Sequence, residues 1–306
     1  MAPARRALLQ IHFCVLLWGF TAILGKLISL RALSLVWWRM LIVTAALLLL
    51  PRVWRGLRGM SGRLWLAYAG VGAVVSLHWL TFYGSIKLAN ASVAATCIAL
   101  APVFLAVVEP YIAGRPFRAR ELLLGVAVVP GVALVVGGLS PQMRLGAAVG
   151  ALSALLVAIF SALNKRLVEH ADALVVTCVE MGTGALFLTL LTPLLPHTGA
   201  LFPPPGARDA VLLVVLAIGC TLVPFALALS ALRHLSAFGA QLVVNLEPVY
   251  AIVLAIPLLG EQRELGPSFY AGVVIILAAV FAEPLFDRAR KRATPAAEGS
   301  QLGLRE

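Results

Sequence analysis

Ten apolar runs of membrane-crossing length constrain this sequence more than anything else in it. They lie at about 8–28, 33–51, 64–85, 91–113, 121–139, 146–164, 173–195, 210–232, 236–259 and 267–286. A hydrocarbon core is roughly 30 Å thick, so a helix needs about 20 apolar residues to cross it. Turn and charge signals separate the runs: Arg52 to Arg63, Gly114-Arg115-Pro116, Ser140-Pro141, and Pro203-Pro204-Pro205-Gly206. No gap leaves room for a soluble domain. The runs are continuously apolar rather than alternating, which excludes an outer-membrane barrel. The expected fold class is an all-α polytopic membrane protein with ten transmembrane helices.

Composition agrees. The chain is 61% hydrophobic and 12% charged, with mean hydropathy +1.00. A soluble domain is about half apolar and about a quarter charged. An ordinary soluble enzyme, a disordered chain and a nucleic-acid-binding module are therefore set aside. The formal net charge of +11 needs explaining, because basic excess often marks a nucleic-acid or anionic-surface partner. Placing the N-terminus inside puts 17 of the 24 basic residues in segments on that side, from Arg5 and Arg6 to the Arg288–Arg305 group. Six fall on the other side (Lys26, Arg31, Lys87, Arg144, Arg208, Arg263), and Arg39 lies inside the second run. This is a positive-inside pattern. It predicts cytoplasmic N- and C-termini, with residues 287–306 as a basic cytoplasmic tail. The first run lacks a small-x-small cleavage pattern and reads as a retained helix. Cys14, Cys97, Cys178 and Cys220 all fall inside runs without a C-x-x-C pair, which predicts buried thiols, no disulfide framework and no metal.

The sequence also repeats itself. Phe20-Thr21-Ala22-Ile23 with Lys26-Leu27 matches Phe160-Ser161-Ala162-Leu163 with Arg166-Leu167 at an offset of 140. Ala32-Leu33 with Arg39-Met40 matches Ala173-Leu174 with Glu180-Met181 at 141. Pro102-Val103-Phe104 with Gly114 matches Pro248-Val249-Tyr250 with Gly260 at 146, and proline to glycine is twelve residues in both. Each unit, 8–139 and 146–286, then holds five runs. Five is odd, so the second copy enters the membrane inverted. Two inverted five-helix repeats are a transporter architecture, with a central site reached from either side by rocking. The duplicated prolines each remove an N–H near mid-span and free the carbonyl of Ile98 or Val244. Bare carbonyls at that depth are tolerated only against protein or water, so Pro102 and Pro248 are expected helix breaks beside a cavity.

Several polar residues stand out against the apolar background. A charge at the bilayer centre costs about 2.5–3.5 kcal/mol on insertion scales, so intramembrane ionisable groups are functional candidates. Arg39 and Glu180 hold equivalent repeat positions with opposite sign, and are candidates for binding a zwitterion. Glu180 is also a candidate proton relay. The alternative is an interfacial place with Arg39 snorkelling outward. His78 is a candidate for proton coupling, and Trp79, Phe82 and Tyr83 for stacking on a flat or cationic solute. The alternative for this group is structural packing. Gln241 and Asn245, at i and i+4, face one way and would bond solute or a neighbouring helix. Trp18 is a further candidate for the cavity wall. Glu247, just before Pro248, is a candidate coupling carboxylate, and Glu109 is expected to pair with a loop arginine. Gly146 and Gly150 read as a helix contact. Phosphate-loop, zinc-pair and nucleophile-elbow motifs are missing.

Thr221 with Pro224, Ser236-Ala237-Phe238, Asn245-Leu246-Glu247-Pro248-Val249-Tyr250 and Gly260-Glu261 resemble the EamA type of the drug/metabolite transporter superfamily. Leu77-His78-Trp79 with Phe82-Tyr83, and Asn90-Ala91-Ser92-Val93, resemble its third and fourth segments. One departure is that the first copy reads Gly114-Arg115 where the second reads Gly260-Glu261. The resemblance implies a ten-helix inverted-repeat carrier of the bacterial inner membrane that exports small metabolites such as amino acids. The expected protein is thus a secondary active transporter, a monomer or homodimer, without a cofactor, with proton coupling as a candidate drive. A lipid or lipid-linked precursor translocator of the same fold is the second reading, and an intramembrane enzyme using His78 and Glu247 the third.

Overall fold

A computed structural model describes residues 3–194 and 200–279 of the chain. The predicted tail, 287–306, and the end of the tenth run lie outside these residues. Every regular element among them is helical: α1 (Pro3–Leu27), α2 (Ala32–Leu48), α3 (Pro51–Gly59), α4 (Gly62–Leu88), α5 (Ala91–Ile98), α6 (Ala101–Ala113), α7 (Ala119–Val126), α8 (Val129–Gly137), α9 (Pro141–Leu167), α10 (Ala173–Leu191), α11 (Ala207–Val214), α12 (Val223–Leu232), α13 (Ala237–Val244), α14 (Glu247–Leu259) and α15 (Pro267–Ala279). Among the described residues, eight continuous or nearly continuous helices are long and apolar enough to cross a membrane, or nine if α2 and α3 form one bent span. The protein is therefore multi-pass. At 17 residues α2 is about 25 Å long, a little short of a full crossing.

Two features depart from the sequence reading. The first is α3, which occupies the stretch read as a break. It turns 94° from α2, with Pro51 in its first turn and Val53 its one buried residue. Its sequence Arg52-Val-Trp-Arg-Gly-Leu-Arg58 is too polar to cross a bilayer and is amphipathic enough to lie along a surface. The second is the placement of the breaks. The fourth run divides into α5 and α6 and the ninth into α13 and α14. The breaks fall at 99–100 and 245–246, ahead of the prolines. Pro102 and Pro248 stand in the first turn of the helix that follows, where the missing N–H would have no intrahelical partner anyway. The interruption is bridged by tighter bonds three residues apart, Leu100 N to Cys97 O at 3.1 Å and Leu246 N to Val243 O at 3.0 Å.

Local sequence explains the other ends. Asn90 caps α5 through Val93 N at 2.9 Å, Asp172 caps α10 through Leu174 N at 3.1 Å, and Ser236 caps α13 through Gly239 N at 2.9 Å. Gly114 and Gly260, at φ 65° and 70°, end α6 and α14 in the left-handed conformation that only glycine adopts without strain. Between α11 and α12 the helix widens into a π stretch, Val215–Leu222, just ahead of Pro224. Thr221 Oγ1 closes on Leu216 O at 2.6 Å there, five residues back.

Packing joins residues remote in sequence. α1 lies against α12 and α14, α9 lies against α4 and α6, and α2 lies against α10. Gly146 and Gly150 are where α9 crosses its neighbours: an added Cβ would meet Ala89 N at 2.9 Å and Cys97 Cβ at 2.9 Å. All four cysteines are buried.

Candidate functional site

A cavity of ≈ 110 Å³ lies at the centre of the bundle, between α1, α2, α4, the end of α5, α9, α12 and the broken pair α13–α14. Its wall is aromatic: Trp18 from α1, Trp79 and Phe82 from α4, Phe160 from α9 and Phe225 from α12. Polar groups interrupt that wall: Arg39, His78, Gln241 and Glu247, with Thr21, Ser161 and Asn164 beside them.

Arg39 is 2% exposed and its surroundings account for its burial. Its Nε donates to Thr221 Oγ1 at 2.5 Å, and one terminal nitrogen donates to Tyr83 Oη at 2.8 Å. The guanidinium carbon lies 3.7 Å from the centre of the Trp79 ring. A planar, weakly hydrated guanidinium suits this combination of fork and stack. The π stretch has a role here, since widening the helix turns the Thr221 hydroxyl toward α2. A wide turn at a functional position is a recurrent use of this geometry.

Glu247 is 7% exposed and lines the same cavity. Among the described residues it makes no ion pair within 4.0 Å, so the wall carries one cation and one carboxylate held apart across an aromatic surface. His78 is fixed by Ser153: its Nδ1 lies 3.0 Å from Ser153 O, and Ser153 Oγ donates to the His78 carbonyl at 3.0 Å. Ser153 Oγ also lies 2.8 Å from Nδ1, so one serine fixes this side of the ring from both its hydroxyl and its carbonyl. The ring packs against Phe160 at 5.3 Å between centres. Gln241 reaches the wall with Nε2 buried and unbonded.

The remaining sequence candidates stand back from the wall. Tyr83 supports Arg39 from behind. Asn245 is fully buried, and neither end of its amide has a partner. Glu180 is 0% exposed and does not line the cavity; its Oε2 accepts from Asn164 Nδ2 at 3.4 Å, and it is Asn164 that reaches the wall. Arg39 and Glu180 therefore do not share one site. Pro102 and Pro248 lie outside the wall, which takes Ile98, Val244 and Glu247 from around the breaks.

Sequence reading did not single out Thr221, Asn164, Phe160 or Phe225 as site residues. Asn164 carried a usable signal, an amide among the apolar residues of the sixth run. The aromatics carried none, because an aromatic on a packing face and one on a cavity face look alike in sequence.

Bonds between the two halves tie both ends of the bundle. At one end Glu261, the residue after Gly260, accepts from Ala91 N at 2.9 Å, Ser92 N at 3.0 Å and Ser92 Oγ at 2.5 Å. Ser29 joins Asp209 at the same end, with its hydroxyl 2.5 Å from Oδ2. At the other end Glu109 accepts from Phe238 N at 3.2 Å and from Arg115 at 3.0 Å, and Arg115 also pairs with Glu121. Burial lowers the Arg115 guanidinium, but its bonds to Glu109 and Glu121 outweigh this and raise it above the ordinary arginine value. Arg115 thus replaces a helix-capping acid with a charge that holds two acids in place.

The chain matches the EamA-like transporter family over residues 5–137 and again over 144–282. No curated protein matches it. Among solved structures, a chain described only as "Crystal structure of protein" is 18% identical, with a TM-score of 0.65 over 92% of this chain and 98% of that one. At that identity the likeness concerns the fold. Two family segments, one in each half of an all-helical multi-pass bundle, place this chain in the EamA-like transporter family.

Proposed function

We propose that the protein is a secondary carrier that exports a small, amino-acid-like metabolite across the bacterial inner membrane by alternating access, with both termini cytoplasmic. The observation that carries this reading is the central cavity, where Arg39 and Glu247 stand apart on an aromatic wall. A carboxylate-bearing solute finds a guanidinium there, its amine finds a carboxylate, and its body finds Trp18, Trp79 and Phe225. Direct readout of this kind is cheap for a zwitterion and costly for an uncharged analogue, which leaves both buried charges unpaired.

The packing supports ten helices in two inverted repeats, 8–139 and 146–286. α4 against α9 corresponds to α12 against α1, and α6 against α9 corresponds to α14 against α1. Rocking of one repeat on the other exposes the cavity to one face at a time, and the Glu261 and Glu109 ties are the bonds such a motion has to break in turn. Glu247, Glu180 and His78 are the coupling candidates.

The test is uptake into proteoliposomes with a panel of labelled amino acids and related zwitterions, with matched inorganic anions and sugars as controls. The reading expects one or more zwitterions to move, and Arg39→Ala to slow the movement about 100-fold. Movement of none of them, together with an unchanged metabolite profile in cells lacking or overexpressing the protein, would overturn it.

A further inference from the structure

The cavity wall does not account for one buried, poorly bonded carboxyl in the bundle. Glu180 is 0% exposed, its Oε1 has no hydrogen-bond partner, and its one bond is the long one from Asn164 at 3.4 Å. Asn164 Oδ1 is likewise buried and unbonded. Two neighbouring residues thus present two acceptors with no donor, whereas buried polar atoms in proteins are as a rule satisfied. The α4 backbone closes the far side. A Cβ at Gly72 would come within 2.9 Å of Glu180 Cα, so no side chain from there can supply the missing proton.

The charged and titratable groups on the surrounding elements are committed elsewhere. Arg39 on α2 is held by Thr221 and Tyr83, and Tyr68 on α4 donates to Leu167 O at 2.8 Å. Arg52 on α3 pairs with Asp172, Lys165 on α9 donates to Leu232 O, and Arg233 beyond α12 donates to Ala171 O. Cys178, on the same helix, is a free thiol. Among the described residues no cation lies within 4.0 Å of the Glu180 carboxyl.

We propose that Glu180 and Asn164 form a proton-binding site one side chain behind the cavity wall, where the coupling ion is carried apart from the solute. The inference rests on the carrier reading above. An O–H bond forms at Glu180 Oε1 as a hydronium ion in the cavity returns to water, and the reverse step releases the proton. The new O–H is the donor this cluster lacks. Asn164 reaches both the cavity and the carboxyl, so rotation of its side chain opens and closes the route. A proton fits better than a metal ion, because the cluster offers one carboxyl and one amide oxygen, whereas cations bound by oxygen take six or more ligands.

The test uses the full chain in lipid. Infrared difference spectra between acid and alkaline buffer in H₂O and D₂O report buried carboxyls directly. The expected result is a deuterium-sensitive carboxylic band that persists in Glu247→Gln, vanishes in Glu180→Gln and shifts in Asn164→Ala. In proteoliposomes, accumulation of the transported panel zwitterion under an imposed pH gradient should fall at least tenfold in Glu180→Gln. Exchange at equal concentrations should stay within twofold of wild type, which also shows the variant is folded. An unchanged infrared band in Glu180→Gln, or gradient-driven accumulation at the wild-type level, overturns the inference. If the wild type moves no panel solute, the carrier reading fails on its own, and the infrared comparison still decides whether Glu180 binds the proton.

Discussion

Arg39 and Glu180 stand 141 residues apart at matching points of the duplicated sequence, yet their surroundings have little in common. Arg39 faces the central cavity, held by Thr221 and Tyr83 and stacked on Trp79. Glu180, on α10, is sealed against α4 with one weak bond from Asn164 of α9 and one bare oxygen. Equivalent positions in a duplicated chain need not share a role. Once one copy supplies a charge to the cavity, the other is free to be placed behind it. Burial also has a different meaning at the two sites. The Arg39 charge is met by the hydroxyl dipoles and ring face around it, while the Glu180 carboxyl lacks such balance.

The strongest test of this contrast removes the guanidinium. Arg39→Ala should lower transport of the panel zwitterion about 100-fold, equivalent to about 2.7 kcal/mol, measured as kcat/KM in proteoliposomes. Arg39→Lys should recover only part, because an ammonium cannot serve Thr221, Tyr83 and the Trp79 face together. Full activity in either variant would remove Arg39 from the site.

Next in size is Gly72→Ala. A methyl group there meets Glu180 Cα at 2.9 Å, so α4 and α10 must part. Overpacking of this kind costs about 1–3 kcal/mol, readable as a fall in thermal midpoint in detergent. An unchanged midpoint would mean that the α4–α10 contact is looser than described.

A smaller effect is expected at Tyr83. Tyr83→Phe keeps the ring and removes the bond to Arg39, so KM should rise about fivefold, equivalent to about 1 kcal/mol, with kcat nearly constant. A fall in kcat alone would point to Tyr83 acting on the conformational step.

The smallest change is expected for Glu180→Leu in stability. Replacing a poorly satisfied buried carboxyl with an apolar group of similar size is neutral or stabilising, within about 1 kcal/mol. Arg39→Leu should lower the thermal midpoint, because it strands Thr221 and Tyr83. If both substitutions lower it equally, the two sites are less different than their bonding implies.

Much of this protein is legible from its residues. Long apolar runs locate the helices, since a backbone in lipid has to satisfy its own hydrogen bonds. Pro102 and Pro248 mark two of the interrupted runs to within a few residues, because proline removes a donor wherever it stands; the fifth run also breaks, at 127–128 ahead of Pro130. Charge sorting gives the expected orientation, and the match at Gly114 and Gly260 points to the duplication. The helix α3 was missed because nine amphipathic residues between apolar runs look like a loop until a neighbour fixes their conformation.

Residue order alone makes this a multi-pass helical protein with a duplicated pattern, and it names the polar residues worth following. Packing in three dimensions settles which of them meet. It put Arg39, His78, Gln241 and Glu247 on one wall, set Tyr83 and Asn245 behind it, and parted Glu180 from Arg39. The physical reason is rotational. Each residue turns the helix by about 100°, so a side chain's direction depends on which neighbours fix the helix about its own axis. Those neighbours are more than a hundred residues away along the chain, as α2 and α10 are.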